Sequence, residues 1–208
     1  MKLISLLSGG IDSPVATYLM LKRDVEITAL HFWGEPYTDK NALERVRSVV
    51  NQLQTATGKD IKTAFIPIGE KRFRIARECN RRLQCVLCKR LMYLVAEKLA
   101  EKEKADALLT GEAIAQVASQ TLPNLEIIDR AVGIPVLRPL IGFDKEEIIK
   151  IAREIGTYEI STQKGICCGL VPRKPTTQAR LDEIIECEDK IDFDKIITEA
   201  IQELEWLT

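Results

Sequence analysis

The most informative stretch for predicting the fold is SLLSGGIDSPVA, residues 5–16. An apolar run leads directly into two glycines flanked by serines, and a helical pattern begins at Val15. A strand, a glycine-rich loop and a helix in this order put the N–H groups of the loop at a helix N-terminus, where donors are unpaired and partial positive charge collects. The stretch therefore predicts a phosphate-binding loop at the carboxyl edge of a parallel sheet.

The residue types of this loop suit a phosphate, although the lysine of the common nucleotide-binding P-loop is missing. Gly9 and Gly10 allow the backbone to approach a phosphate closely, and the hydroxyls of Ser8 and Ser13 add donors. Asp12 repels phosphate, so we expect it to orient the loop or to hold Mg²⁺ against the phosphates. The alternative is an ordinary strand-to-helix turn in which Ser8 and Asp12 only cap the helix.

Length and composition indicate one compact domain without a membrane segment. The 208 residues are 46% hydrophobic and 29% charged, and 30 basic side chains nearly balance 31 acidic ones. Apolar runs stay short of the roughly 18 to 20 residues of a membrane span, and no secretion signal precedes the loop. We therefore expect a cytoplasmic protein with reduced cysteines, built from a main domain at residues 1–175 and a helical extension of the same domain at 176–208.

The rest of the chain alternates short apolar runs with helical patterns. The runs are KLISLLS, VEITALHFW, IKTAFIPIG, ADALLTG and IPVLRPL. Amphipathic patterns predict helices between them, including one from Lys89 to Lys104 and one that a capping box at Asp144 and Glu147 opens and Gly156 ends. The alternation predicts an α/β fold with a doubly wound, mainly parallel, Rossmann-like sheet and a helical tail through Trp206.

The loop Ser8-Gly9-Gly10-Ile11-Asp12-Ser13 resembles the PP-loop of the N-type ATP pyrophosphatases. Five further stretches resemble, in order, the catalytic region of tRNA 4-thiouridine synthetases: LHFWGEPYT (30–38), CKRLMY (88–93), LLTGEAIAQVASQTLPNL (108–125), PVLRPLIGFDKEEIIKIAREIGTYEIS (135–161) and CCGLVPRKPT (167–176). The resemblance implies a fold of the adenine-nucleotide α-hydrolase type. It also implies ATP-dependent adenylation of a tRNA uridine at C4, release of pyrophosphate and replacement of the oxygen by sulfur.

An ATP site is expected where the first two strands end. Phe32 offers a face to adenine, and His31, the only histidine, is either a general base or, as lone strand-end histidines more often are, a packing or adenine contact. The resemblance adds Lys89 beside the departing pyrophosphate, Gly111 for close approach and Gln120, whose alternative is loop polarity. The expected ATP-site residues are Leu6, Leu7, Ser8, Gly9, Gly10, Asp12, Ser13, His31, Phe32, Lys89, Gly111 and Gln120.

The cysteines present two close pairs, Cys85 with Cys88 and Cys167 with Cys168. The first pair, just before the predicted helix, suits a redox pair, half of a zinc site or part of an iron–sulfur site. The resemblance favours a [4Fe-4S] cluster held by Cys85, Cys88 and Cys168, with zinc and free thiols as alternatives. Family members without the first pair use the equivalent of Cys168 in persulfide chemistry. Cys168, rather than Cys167, matches the family pattern because it directly precedes Gly169, and we expect it to be catalytic together with Asp12.

The expected partners are RNA and a sulfur donor, either sulfide or a persulfide protein. Family members usually carry an RNA-binding region ahead of the loop, which here begins at residue 8, so a separate RNA-binding subunit is one expectation. A basic stretch is the other, unless it is only a solvated helix face. It comprises Lys71, Arg72, Arg74, Arg77, Arg81, Arg82, Lys89 and Arg90.

Two alternative functions remain at this stage, and the oligomeric state, a homodimer included, stays open. The first alternative is a PP-loop enzyme that adenylates a small molecule or free nucleobase, with sulfur or ammonia as the nucleophile. The second is a non-catalytic zinc or iron–sulfur module that binds RNA. Formation of pyrophosphate separates both enzymes from the binding module.

Overall fold

The computed structural model describes residues 1–38, 41–163 and 168–207, and these form one six-stranded sheet with helices on both faces. The strands are β1 (Lys2–Leu6), β2 (Glu26–Trp33), β3 (Lys62–Pro67), β4 (Ala107–Leu109), β5 (Val136–Leu137) and β6 (Glu205–Trp206). Their order across the sheet is β5-β4-β1-β2-β3-β6, and every neighbouring pair is parallel except β3 with β6. The predicted doubly wound, mainly parallel sheet is thus confirmed.

Nine α-helices occur in the described ranges. They are α1 (Asp12–Leu21), α2 (Ala42–Thr57), α3 (Gly69–Glu78), α4 (Gln84–Glu103), α5 (Leu122–Asp129), α6 (Lys145–Glu154), α7 (Tyr158–Ser161), α8 (Leu181–Lys190) and α9 (Phe193–Gln202). None of them combines the length and the apolar character that a bilayer crossing requires. The predicted capping box of α6 is present, and Gly156, with φ of 75°, follows the end of this helix.

Side chains alternate along the central strands and supply two separate cores. Ile4 and Leu30 pack on one face with α4, α5, α8 and α9, whereas Leu3 and Ala29 pack on the other with α1, α2 and α6. Because both faces are covered, the buried positions of these strands are mostly apolar. In the predicted extension, residues 176–208, Ile184 and Ile196 belong to the first core.

Two helix boundaries differ from the sequence predictions. The predicted helix through Trp206 ends at Gln202, and Trp206 instead pairs in β6 with Ala64. This strand could not be predicted, because two residues are too few to show a periodic pattern. Helix α4 begins at Gln84 rather than near Lys89, since a short 3-10 helix at Arg81–Leu83 runs directly into it. The cysteine pair therefore lies inside the first turns of α4, not before it.

The strand order changes direction at β1. From β1 the chain proceeds outward to β2 and β3, and then returns to the other side of β1 to form β4 and β5. The loops after β1 and β4 consequently leave neighbouring strands toward opposite faces of the sheet, which opens a crevice between them. This switch point places the glycine-rich loop beside the loop that follows β4.

Candidate functional site

The glycine-rich loop after β1 is held by its two serines. The Ser8 backbone N–H donates to Ser13 Oγ at 2.8 Å, the two hydroxyls lie 2.9 Å apart, and the Gly10 N–H donates to Ser8 Oγ at 3.2 Å. No side chain in the described part of the chain caps the first turn of α1. The alternative of a simple turn capped by Ser8 and Asp12 is therefore not what the structure shows. An uncapped helix N-terminus in a crevice suits an anion.

Asp12, the first residue of α1, forms an ion pair with Lys145. The Lys145 Nζ atom lies 2.5 Å from Asp12 Oδ1, and its side chain is 46% exposed, so solvent and ligands can reach the pair. Lys145 is the first residue of α6, in a region where the sequence pattern predicted only the start of a helix. Lys145 therefore places a cation beside the glycine-rich loop, and the sequence did not predict this cation.

Gly111, in the loop after β4, packs directly against the glycine-rich loop. A Cβ atom at this position would lie 2.5 Å from the Ser13 nitrogen, 2.6 Å from Ser13 Cα and 2.7 Å from the Asp12 carbonyl carbon. The sequence pattern predicted that this glycine lets a nucleotide approach closely, and that remains a prediction. The structure adds a second reason for a glycine here, because the backbones of the two loops touch at the switch point.

A first cavity, the nucleotide crevice, lies at the ends of β1 and β2 and has a volume of about 290 Å³. The predicted adenine-site residues Leu6, Leu7, His31 and Phe32 line it. The loop residues Ser8, Gly9 and Gly10 also line it. The structure thus brings seven of the residues expected for ATP binding into one crevice.

His31 is buried beneath the nucleotide crevice and is uncharged at neutral pH. Burial, with a smaller effect of the nearby Arg72 guanidinium, lowers the pKa of His31 to about 4, although the hydrogen bond to Leu7 acts to raise it. The Nδ1–H donates to the Leu7 carbonyl oxygen at 2.9 Å, which leaves Nε2 as an acceptor without a partner in the described residues. A base this weak is a poor proton acceptor at pH 7, so the arrangement favours the contact role over general-base catalysis.

A second cavity, the loop cavity, surrounds the N-terminus of α1 and has a volume of about 190 Å³. The predicted residues Asp12, Ser13, Lys89, Gly111 and Gln120 line it. It shares lining residues, such as Ser8 and Gly10, with the nucleotide crevice, so the two cavities adjoin.

A buried carboxylate, Glu112, organises the wall of the loop cavity. Its Oε1 accepts a hydrogen bond from Lys89 Nζ at 2.7 Å, and its Oε2 accepts from Tyr93 at 2.5 Å, Thr110 at 3.2 Å and Arg138 Nε at 2.9 Å. Burial alone raises the pKa of Glu112, but Lys89, Tyr93 and Arg138 outweigh burial and hold the pKa at about 2. The predicted phosphate contact Lys89 is therefore anchored by an ionised carboxylate.

We expect Glu112→Gln to destabilise the protein by about 3 kcal/mol at pH 7, because it removes the counter-charge of the half-buried Lys89 and one of the two carboxylate partners of Arg138. Since the folded-state pKa is lowered from 4.5 to about 2, the wild-type ion pairs contribute fully above pH 4.5 and are lost as the pH falls toward 2. Urea unfolding at pH 7 and pH 3 should show a smaller acid-induced loss of stability in the variant.

The matched control is Glu126→Gln. Glu126 pairs with Arg130 on the surface of α5, where the two side chains are 63% and 58% exposed. Exposed pairs contribute little, so this variant should unfold within about 0.5 kcal/mol of wild type. Equal losses in the two variants would contradict the role given to Glu112.

A third cavity, the cysteine cavity, has a volume of about 260 Å³ and contains all three predicted cluster ligands, Cys85, Cys88 and Cys168. Burial raises the pKa of Cys85 to about 11, and the nearby Cys88 and Cys168 contribute to the increase. Within residues 1–38, 41–163 and 168–207, no three metal-ligating side chains already lie close enough to hold an ion. The thiols share one cavity, and ligation would require them to deprotonate and approach each other.

The segment that carries Cys168 is tied across this cavity. The Gly169 N–H donates to the Tyr37 carbonyl oxygen at 2.8 Å, and Arg81 donates to the Leu170 carbonyl oxygen at 3.1 Å. These bonds bring Cys168 to the two cysteines of α4. Cys167 lies outside the described residues.

The prediction that eight basic residues form one surface patch is wrong for two of them. Lys71 is buried and pairs with Glu203 at 2.6 Å, and Arg90 is buried and pairs with Glu188 at 2.6 Å and 2.9 Å. These bonds fix α3 and α4 to the C-terminal helices. The error arises because the pattern of basic residues shows neither which of them face inward nor where acidic partners return from another part of the chain.

Comparison with known proteins gives one consistent result. A family model described as thiamine biosynthesis protein (ThiI) matches residues 1–193. A probable tRNA sulfurtransferase of Caldanaerobacter subterraneus subsp. tengcongensis is 41% identical over 201 residues, which cover 96% of this chain and 53% of the relative. A probable tRNA sulfurtransferase of Methanosarcina mazei is 42% identical over 202 residues, covering 97% and 50%.

A solved structure also resembles this chain. The crystal structure of a 4-thiouridine synthetase–RNA complex with bound ATP matches this chain with a TM-score of 0.92 and 37% identity. The match covers 100% of this chain and 55% of that chain. The chain thus spans about half the length of the curated relatives and of the solved structure that it matches.

Proposed function

The chain belongs to the ThiI family, and on that premise we propose that it is an ATP-dependent tRNA sulfurtransferase that adenylates the C4 carbonyl of a uridine. The proposal includes replacement of the C4 oxygen by sulfur and release of AMP and pyrophosphate. The relatives named tRNA sulfurtransferase and the solved synthetase with RNA and ATP support tRNA and ATP as substrates.

One observation carries this proposal: the nucleotide crevice, the loop cavity and the cysteine cavity adjoin. Met92 lines all three, and Lys89 lines both the loop cavity and the cysteine cavity. An enzyme that couples adenylation to sulfur transfer needs a phosphate-binding helix end beside a group of thiols. A nucleotide-binding module without this chemistry has no need for the thiols.

The first step is adenylation. The uridine O4 attacks the α-phosphorus of ATP, an O4–P bond forms, and the bond from the α-phosphorus to the bridging oxygen of the β-phosphate breaks. The electron pair leaves with pyrophosphate. We assign the β- and γ-phosphates to the uncapped N-terminus of α1, with Ser8, Ser13 and the Lys89 ammonium as further donors.

The second step exchanges oxygen for sulfur. Hydrosulfide, or a persulfide delivered by a donor protein, attacks C4 of the adenylated uridine. A C4–S bond forms and the C4–O bond breaks, so that AMP leaves with the former carbonyl oxygen. With hydrosulfide the sulfur proton is released to solvent. With a persulfide the outer sulfur bonds to C4, and a second thiol then attacks the inner sulfur, so that the S–S bond breaks, a disulfide forms and the outer sulfur stays on C4. Cys168, at the edge of the cysteine cavity, is the residue we place nearest to this exchange.

We propose two cofactors for these cavities. Mg²⁺ would bind between Asp12 and the phosphates, since carboxylate and phosphate oxygens are its usual ligands. Cys85, Cys88 and Cys168 would hold a [4Fe-4S] cluster, with zinc as the alternative, because the three thiols share one cavity. Held by three protein ligands, such a cluster would supply one iron position that is open to a sulfur ligand.

Metal content tests the cluster independently of activity. Anaerobic reconstitution with iron and sulfide should give about four irons and four sulfides per chain and a visible absorption band, and Cys85→Ala should lose both. Cys79→Ala is the matched control, because Cys79 lies at the end of α3 near Cys187, outside the cysteine cavity. Tight stoichiometric zinc without iron incorporation would instead support the zinc alternative.

The overall reaction is tested with ATP, sulfide and unmodified tRNA, using the reconstituted protein. We expect AMP, pyrophosphate and a thiolated nucleoside in equal amounts. Turnover of a free nucleobase or small carbonyl compound without tRNA would support the small-molecule alternative, and ADP with orthophosphate as products would overturn the adenylation mechanism. Tight RNA binding without pyrophosphate formation would favour a binding module.

A further inference from the structure

Arg72, on α3, lies between the nucleotide crevice and the cysteine cavity. It lines both, as Met92 does. Gly34 leaves room for the guanidinium, since a Cβ atom there would lie 3.1 Å from Arg72 Nη1. The side chain is half-buried, so its charge acts at the boundary between the cavity that we assign to ATP and the cavity that holds the thiols.

Arg72 has no acidic partner within residues 1–38, 41–163 and 168–207, unlike most of the cations near it. Its Nη2 donates to the Met92 sulfur at 3.4 Å, and its buried Nε has no hydrogen-bond partner among the residues that the structure describes. A thioether is a weak acceptor. In contrast, five other cations of the basic stretch pair with carboxylates: Lys71 with Glu203, Arg74 and Arg77 with Glu78, Lys89 with Glu112, and Arg90 with Glu188.

The surroundings do not compensate this charge. Neither the nucleotide crevice nor the cysteine cavity has a carboxylate among its described lining residues. A guanidinium stays protonated in proteins, and placing it out of water without a counter-charge has a free-energy cost. A bound anion would supply the counter-charge of the guanidinium and offset this cost.

We propose that Arg72 is a catalytic residue that binds the α-phosphoryl group of the nucleotide, the group that forms the new bond to the substrate oxygen. This inference rests on the proposed function. When O4 attacks, the α-phosphoryl group stays on the acceptor while pyrophosphate departs, so it needs its own cation on the acceptor side. Lys89 and the N-terminus of α1 serve the departing side, and Arg72 faces the cysteine cavity from which sulfur must come.

A phosphodiester of the substrate RNA has the same chemistry as this ligand. The position of Arg72 favours the nucleotide, because the residue lines the crevice together with Leu6, His31 and Phe32, whereas an RNA backbone would run over the surface. The two sources can be separated, since AMP and adenosine differ only in the phosphate.

The test compares AMP and adenosine binding to wild type and Arg72→Met by calorimetry. We expect AMP to bind about 10- to 100-fold more weakly to the variant, as for loss of a charge-assisted hydrogen bond, and adenosine to bind equally to both. Arg72→Lys should recover part of the AMP affinity. The matched control is Arg74→Met, two residues further along α3 and paired with Glu78, which should leave both affinities within about twofold.

Unfolding separates a ligand-binding role from a structural role. Because Arg72 has no acidic partner in the described residues of the free protein, Arg72→Met should unfold at the same urea concentration as wild type or at a higher one. A variant that is strongly destabilised and loses adenosine affinity together with AMP affinity would show that Arg72 is structural and would overturn the proposal.

Binding of tRNA tests whether the anion that Arg72 binds is an RNA phosphate. The affinity for unmodified tRNA without nucleotide should be unchanged in Arg72→Met. Weaker tRNA binding with unchanged AMP binding would identify the anion as an RNA phosphate and overturn the assignment to the nucleotide. Should wild type form no pyrophosphate with tRNA, the proposed function would fail while the AMP and adenosine titrations would still decide the role of Arg72.

Discussion

Cys168→Ala is expected to abolish formation of thiolated nucleoside, a loss of roughly 10³-fold or more, while ATP-dependent pyrophosphate formation continues. The two activities separate because they use different cavities. Cys168 lines the cysteine cavity, and no residue of the glycine-rich loop is among the described residues that line this cavity. Adenylation needs the crevice and the loop cavity, both of which remain intact. The measurement is chromatography of digested tRNA together with a pyrophosphate assay on the same samples.

Cys79→Ala provides the comparison. Cys79 lies beside Cys187, and burial raises its pKa to about 12, so it is an inert thiol at neutral pH. Its removal should leave thiolation within about twofold of wild type. Thiolation by Cys168→Ala at the wild-type rate would remove Cys168 from both the exchange step and the cluster.

Gly111→Ala is expected to slow pyrophosphate formation by about 100-fold or more. The added Cβ would lie 2.5 Å from the Ser13 nitrogen, whereas ordinary contact begins at 3.4 Å, so one of the two loops must move by about 1 Å. The obstacle is backbone, which cannot rotate away as a side chain can. A displacement of this size in a catalytic loop is sufficient for such a loss. Steady-state rates at several ATP concentrations would measure it.

Gly142→Ala is the matched control. A Cβ atom at Gly142 would meet no atom within 4 Å, so the substitution should leave the rate within about twofold of wild type. Both variants should be checked by thermal unfolding, because overpacking at Gly111 also costs stability. A folded Gly111→Ala protein with wild-type activity would show that the contact between the two loops does not position the phosphates.

The local features of the fold could be predicted from the sequence because each depends on neighbours along the chain. The apolar runs predicted five of the six strands, and the capping box at Asp144 and Glu147 predicted the start of α6. The short strand β6 and the true start of α4 were missed, since two residues have no period and a 3-10 turn can lead into a helix without a visible signal.

The candidate site was predictable to the extent that its residues stand at strand ends. Residues from five separate stretches were expected in the site, and the structure places them around three adjoining cavities. Glu112 had a weak signal, because it directly follows Gly111 in a stretch already singled out. The partners of Asp12 and Arg90 had none, since Lys145 and Glu188 lie 133 and 98 positions away.

The sequence alone was sufficient to predict the glycine-rich loop, the parallel sheet that carries it and the family. These follow from short motifs and from periodicity, which are properties of neighbouring residues. Three further features are visible only in the folded chain: Gly111 packs against the glycine-rich loop, Glu112 anchors Lys89, and Arg72 has no acidic partner in the described ranges. The physical reason is that charge pairing and close packing depend on distances in space, and parallel crossover connections bring together residues that are far apart in the chain.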